Sequence, residues 1–281
     1  MTVVIAGCGD LGTEVGLRFA ALGRRVIGLR RSIDKLPREI EGQSIDLSVD
    51  VPSLPVDTTI VVIAMAPDER SVDGYRAAYV ESVRRMTQAV QRDCIEAPRV
   101  LFVSSTAVYG VDDGSWVDAS TPPDPSTATA EVLREAEETL LEANPAATML
   151  RLGGIYGPGR TRLIDRVREG VEQLHSKVLN QIHRDDAAGA IVHLTTMQLR
   201  PETTYIGVDN QPVERRDLVE FLARRLDLPA PPAGPGSEAD DESRGKRCDN
   251  TRLRESGFVF SYPTYREGYS AVLQGNGIRH P

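Results

Sequence analysis

"VIAGCGDLG", Val4 to Gly12, is the stretch on which the fold turns. The apolar run Val3 to Ala6 stops at Gly7, as a buried parallel strand does where it meets a turn. Gly7, Gly9 and Gly12 then keep a GxGxxG spacing. The first glycine permits a tight turn, the second lets backbone approach a pyrophosphate, and the third lets the next helix pack closely. That helix would present its N-terminal N–H groups to the phosphates. A purely structural turn could use the same glycines. Context favours a dinucleotide, because the motif lies at the first strand-to-helix junction of a repeated β/α pattern.

That pattern runs outward from the junction. Leu11, Val15, Leu17, Phe19 and Leu22 give a helical face ending at Gly23, and Arg25 to Leu29 reads as the next strand. Ser44 to Leu47 reads as a short strand, Thr59 to Ala66 as a buried one, and Tyr75 to Val90 as a long helix. Arg99 to Ser105 is another central strand, Ala130 to Leu141 a helix, and Ala147 to Gly154 a strand. Such alternation predicts an α/β fold, a Rossmann-like doubly wound parallel sheet with helices on both faces. Residues 1–157 are the expected NAD(P)-binding domain, completed by about 182–208. Residues 158–281 are expected to form mainly a small C-terminal substrate lobe, including an amphipathic helix from Val213 to Leu228. Within it, Pro229 to Gly245 is rich in Pro, Gly and acid, the composition of a mobile loop. Leu253, Phe258, Tyr262, Tyr265 and Tyr269 equip the last segment to pack back.

Composition narrows the partners. A net charge of −8 argues against a nucleic-acid backbone. Cys8, Cys94 and Cys248 lie far apart, and the four histidines form no metal-spaced cluster, so neither a disulfide framework nor a metal site is expected. The longest apolar run, Ile60 to Ala66, is too short for a membrane span, and Asp10 interrupts the first one. The expectation is a cytoplasmic protein acting on a small molecule.

Which dinucleotide is bound follows from the end of the second strand. NAD-preferring sites place an acid there to take the ribose hydroxyls. This chain has Arg30, Arg31 and Ser32 instead. Guanidinium groups clasp a 2′-phosphate through charge-assisted hydrogen bonds, so NADP(H) is favoured over NAD(H). A solvated basic loop is the alternative.

Three further stretches, "LFVSSTAVYG" to Gly110, "LRLGGIYGPGR" to Arg160 and "IHRDDAAGAIVHL" to Leu194, follow in that order. Together with the glycine loop they resemble the extended short-chain dehydrogenase/reductase family, the NAD-dependent epimerase/dehydratase group. The resemblance implies that Gly7, Gly9, Asp10, Leu11 and Gly12 hold the pyrophosphate. Asp46 and Leu47 would flank adenine, and Ala64, Met65 and Ala66 would line the path to the nicotinamide ribose. Ser104, Leu152 and Gly153 would lie beside the cofactor. Ser105, four residues before Tyr109, matches the active-site Ser/Thr that hydrogen-bonds the reacting oxygen. Tyr109, Tyr156 and Arg160 would border the substrate. His183 and the two aspartates after it are expected to cap and pack their helix.

The chain departs from the family at its chemistry. The family's Tyr-x-x-x-Lys dyad falls on Thr129 and Leu133 when Glu137 is aligned with a glutamate common on that helix. The lysines are Lys35, Lys177 and Lys246, and none has a tyrosine four residues before it. The glycine loop is one residue shorter than usual, and Tyr79 replaces an asparagine common on the long helix. Tyr109 is therefore the expected proton donor, with Arg134 or Arg151 supplying charge. Three functions remain open: an NADP(H)-dependent oxidoreductase or epimerase acting on a polar small molecule such as a sugar nucleotide, a catalytically silent NADP(H)-binding sensor or interaction protein, or a fold kept for interaction with an empty site.

Overall fold

The computed structural model describes residues 1–171, 177–229, 231–232 and 244–281. Seven strands form one parallel sheet: β1 (Thr2–Ala6), β2 (Arg25–Arg30), β3 (Glu41–Ser44), β4 (Thr58–Ile63), β5 (Arg99–Ser105), β6 (Thr148–Leu152) and β7 (Thr204–Gly207). Their spatial order is β7-β6-β5-β4-β1-β2-β3. The order reverses between β1 and β4, the place where open α/β sheets bind ligands.

The solid apolar strands follow from burial on both faces. Val3 and Ile5 of β1 enter one core with Leu11, Val15 and Phe19 of helix α1 (Asp10–Ala21). Val4 and Ala6 enter the opposite core with Val83 and Met86 of α2 (Ser82–Asp93) and Ala136 and Leu140 of α3 (Ala128–Ala143). A strand with one wet face would alternate in polarity; this one cannot. The long helix before Val90 is less regular than its spacing suggests, with a π-helical turn over Arg76–Glu81.

The third strand begins earlier than the sequence suggests. Glu41 to Ser44 pair with Ile27 to Arg30, and the chain then leaves the sheet at Ile45. Asp46 Oδ1 accepts from Ser48 N at 3.0 Å and from Ser48 Oγ at 2.6 Å, closing a turn that carries Leu47 into the core.

Beyond β6 the chain builds another core, in which Tyr156 joins Ile164 and Val167 of α4 (Arg162–Arg168). Helix α5 (Arg184–Thr196) packs on α1, with Ile191 and Leu194 in the core beside β1. Helix α6 (Arg215–Arg225) is shorter than the periodicity of residues 213–228 predicts. Val213 and Glu214 pair with Val178 and Leu179 as strand, and Asp227 takes φ 55° just past the helix. After the short α7 (Thr251–Glu255), the last segment packs in two places. Leu253 and Phe260 join the α1–α5 core, and Tyr265 and Tyr269 of α8 (Tyr265–Leu273) join that around Tyr156. Most of the Pro229 to Gly245 stretch, expected to be mobile, lies outside the described residues. Among the described residues no helix is long and apolar enough to cross a membrane.

Asp209, two residues past β7, is 2% exposed. One carboxylate oxygen accepts from Gln211 N at 2.9 Å, and the other has no partner among the described residues. Burial, aided by the charges of Glu267 and Asp186, pushes its pKa up to about 7. A carboxyl group with a raised folded-state pKa binds more protons folded than unfolded, so stability is greatest below its unfolded value and declines as pH rises towards 7. A shift of that size corresponds to roughly 4 kcal/mol. Asp209→Asn is expected to abolish much of this decline. Urea unfolding midpoints measured between pH 4 and 8 check it, and parallel profiles for the two proteins would contradict it.

Candidate active site

Each glycine of the first turn has its own physical reason. Gly7 sits at φ +84°, and a Cβ there would lie 2.5 Å from the Ala64 carbonyl oxygen. A Cβ on Gly12 would lie 2.5 Å from the Gly7 carbonyl oxygen, so α1 could not start this close to the turn. Gly9 differs. Its φ of −87° suits any residue, and a Cβ there would meet no protein atom within 4 Å. Neither backbone nor packing requires glycine at that position, and the space beside it is open.

Gly7 and Gly9 line a cavity of about 660 Å³, together with Arg30, Arg31, Ser32, Asp46, Leu47, Ala64, Met65 and Ala66. Ten residues expected at the cofactor are thus gathered around one space, of a size suited to a ligand. Lys35 also lines it, a cation the sequence reading missed. The signal was local, because Lys35 ends the short helical turn that follows Arg30, Arg31 and Ser32. Arg31 pairs bidentately with Asp68 across this space, at 2.7 and 2.8 Å. Arg30 reaches back over the turn and donates to the Cys8 carbonyl oxygen at 3.0 Å. Burial pushes the Cys8 thiol up to about 11, so it is not a reactive group.

The other cofactor candidates do not line this cavity. Asp10 directs its carboxylate away, to Arg160 at 2.7 Å and Arg184 at 3.1 Å. What Asp10, Leu11 and Gly12 can offer a phosphate is the first-turn N–H groups of α1, which lack intrahelical partners. Leu152 is 2% exposed inside the core, and Ser104 Oγ is buried without a hydrogen-bond partner among the described residues. A Cβ on Gly153 would lie 2.5 Å from the Asn180 carbonyl oxygen, so that position is tight from the protein side.

Ser105 ends β5, partly exposed, and its Oγ accepts from Ala107 N at 3.1 Å. Its own O–H therefore remains available to donate. Tyr109 is placed differently from its expected role. It is 1% exposed, receives a 2.7 Å hydrogen bond from Arg151 on its hydroxyl, and donates to the Asp118 carbonyl oxygen at 3.0 Å. Arg151 in turn forms a buried two-bond pair with Glu137, at 3.0 and 2.6 Å. Burial raises the Tyr109 pKa despite the neighbouring guanidinium. A phenol enclosed in this way cannot pass a proton to a substrate in the cleft, so the donor role expected of Tyr109 is corrected to a structural one. Arg134 is paired on its own helix with Glu131 and Glu138. At the dyad positions, Leu133 is 3% exposed and Thr129 lies 3.4 Å from the hydroxyl of the capping Thr127.

Tyr156 and Arg160 line another cavity of about 550 Å³, which also meets Gly154, Gln181, Tyr269 and three arginines, Arg162, Arg166 and Arg215. Tyr156 stacks on Tyr269 at 4.2 Å, and burial drives its pKa far up. The three arginines were not singled out from sequence, although Arg160, Arg162 and Arg166 fall within one short stretch. His183 caps α5 through Nδ1, which accepts from Asp185 N at 3.2 Å, and Asp186 accepts from Ser261 N and Tyr262 N. Burial lowers the His183 pKa to about 4, leaving the ring neutral near pH 7.

Comparison with known proteins agrees with this architecture. Residues 3–207 match the NAD dependent epimerase/dehydratase family, and the chain belongs to it. A solved structure from Methylobacillus flagellatus, described as an NAD-dependent epimerase/dehydratase, is 35% identical, with a TM-score of 0.80 and 98% of each chain covered. Protein YeeZ of Escherichia coli is 29% identical over 275 residues, which is 93% of this chain and 96% of that protein. The 3-diazoavenalumate denitrifying reductase of a Streptomyces species is 25% identical over 304 residues, covering 95% and 99%.

The glycine geometry separates two effects by substitution. Gly9→Val is expected to fold with a loss of about 1 kcal/mol or less, because the new side chain enters open space at a helix N-cap, yet to lose dinucleotide binding. Gly12→Ala should lower the unfolding midpoint clearly, because its Cβ meets main chain. Thermal unfolding and calorimetric titration with NADPH, run on both variants, decide the matter; equal destabilisation would refute the distinction.

Proposed function

We propose that the protein is an NADP(H)-dependent oxidoreductase or epimerase acting on a polar, anionic small molecule. The observation that carries this reading is the open space at Gly9, facing a cavity that also gathers Arg30, Arg31 and Lys35. Three cations near the end of β2 favour a 2′-phosphate over bare ribose hydroxyls. Arg31 is shared with Asp68, so Arg30 and Lys35 are the main readers of that phosphate.

Bound in this cavity, the nicotinamide would supply hydride transfer. The protein's share is binding, orientation and proton handling. Ser105, held by Ala107 N, donates its hydroxyl proton as a hydrogen bond to the reacting oxygen. The substrate occupies the cavity beside Tyr156 and Arg160, where Arg162, Arg166 and Arg215 favour a phosphate or carboxylate. A sugar nucleotide has that chemistry. Lys246 donates from Nζ to the Tyr109 carbonyl oxygen at 2.7 Å, four residues beyond Ser105, and burial lowers its pKa. We assign it the positive charge that the dyad lysine has in the family.

A protein that holds NADP(H) without turnover is the second reading. The observation favouring it is the pair Thr129 and Leu133 at the dyad positions, with Leu133 buried.

NADPH is expected to bind at least about tenfold tighter than NADH, since each charge-assisted contact contributes roughly 1.5–3 kcal/mol. Arg30→Ala combined with Lys35→Ala should erase the preference. Isothermal titration showing equal affinities in the unaltered protein would overturn the NADP(H) assignment. Oxidation of NADPH by small carbonyl compounds, together with isomer analysis of sugar nucleotides incubated with the cofactor-loaded protein (an epimerase returns its hydride and consumes no NADPH), separates the two readings. On the enzyme reading, Ser105→Ala lowers turnover by about 10²-fold or more while leaving NADPH affinity unchanged.

A further inference from the structure

The last residues of the chain cross the same glycine turn. Helix α8 ends at Leu273, and Gly275 and Gly277 then take φ +78° and +86°, two left-handed positions that redirect the backbone. A Cβ on Gly277 would lie 2.5 Å from Pro158 Cγ, so the chain passes tightly over the loop that carries Gly157 to Arg160. Arg184, buried beneath Asp10, donates to the Ile278 carbonyl oxygen at 2.7 Å. Arg279 donates to the Gly159 carbonyl oxygen. His280 donates its main-chain N–H to Asp10 Oδ1 at 3.2 Å, and its Nε2 lies 2.9 Å from Glu14 Oε2. Pro281 brings its carbonyl oxygen to 3.0 Å from Nη1 of Arg30.

That nitrogen is the point of conflict. Nη1 of Arg30 has two N–H groups, and it donates to both the Cys8 and the Pro281 carbonyl oxygens at 3.0 Å. A phosphate taken by this nitrogen must displace one of them. Asp10, at the first position of α1, is meanwhile held by Arg160, Arg184 and His280 together, so the tail is tied to the turn whose N–H groups a pyrophosphate would use.

We infer that residues 276–281 form an autoinhibitory strap, which lies across the glycine turn, engages Arg30 through the Pro281 carbonyl oxygen, and is displaced when a phosphate-bearing dinucleotide binds. The inference rests on the reading of the Gly9 cavity as a dinucleotide site. The strap suits displacement because it buries little: residues 276–279 and Pro281 are exposed, and the ties are a few polar contacts. A phosphate offers a guanidinium several charged oxygens where the tail offers Arg30 one, so the ligand wins the exchange at sufficient concentration. The apparent affinity is reduced by the fraction of molecules with the strap in place.

The test compares the full chain with a variant lacking residues 276–281. Deletion is expected to tighten NADPH binding by about tenfold, and to tighten NADH binding less, because Arg30 reads the 2′-phosphate. Hydrogen exchange on the full chain provides a second readout that needs no truncation: NADPH should speed exchange of the 276–280 amides, and trypsin should cut faster after Arg279. Unchanged or weaker NADPH binding in the deletion variant, or protection of the tail by NADPH, overturns the strap. If neither protein binds NADPH, the dinucleotide reading falls and the strap falls with it; if both bind equally, only the strap falls.

Discussion

The backbone of Gly7 runs so close beneath Ala64 that one added carbon would come within 2.5 Å of its carbonyl oxygen. Much of the architecture follows from that approach. It allows β1 to turn at the sheet's carboxyl edge, and the absence of a Cβ at Gly12 lets α1 begin against the turn itself. With α1 so near, Val15 and Phe19 reach the core beneath β1, and α5 can pack on α1 from outside. The open face at Gly9 is the counterpart of those two close contacts. The protein is tight where it must hold the turn and empty where a ligand would meet it.

Charge is arranged with a similar division. At the glycine turn, Arg30 and Lys35 line a cavity, and the Asp68 carboxylate paired with Arg31 is exposed. Across the sheet, Glu137, Arg151 and Tyr109 form a closed buried network in which every charge is paired. Breaking such a pair leaves a lone charge in low dielectric, at a cost of roughly 3–5 kcal/mol. The helix that carries proton-transfer residues elsewhere in the family here contributes Glu137 to that network and Leu133 to the core. In the proposed mechanism the helix is a structural clasp, Ser105 hydrogen-bonds the reacting oxygen and Lys246 supplies positive charge.

Asp10 explains why motif matching and geometry part company. It occupies a motif position, yet its carboxylate belongs to a cluster with Arg160, Arg184 and the main chain of His280. These partners lie 150 to 270 residues away along the chain. No local pattern could announce them. Arg160 was expected at the substrate; it lines the cavity beside Tyr156, and its Nε is bound to Asp10. It ties the wall of that cavity to the first turn of α1 instead of serving the cavity alone.

The sequence by itself determined the β/α alternation, the parallel sheet, the glycine turn and the basic end of β2. Each of these is written in short-range patterns: apolar runs, glycine spacing and adjacent like charges, whose physical consequences are local. It also determined the missing Tyr-x-x-x-Lys, because an absent residue type needs no fold to be noticed. Only the tertiary structure decided which side chains were available for chemistry. Tyr109 follows the motif but is sealed behind Arg151 and Asp118, while Lys35 and Lys246, which follow no motif, reach the cavity wall and the Ser105 loop. Burial and long-range pairing depend on what the rest of the chain brings alongside, and that is known only when the chain is folded.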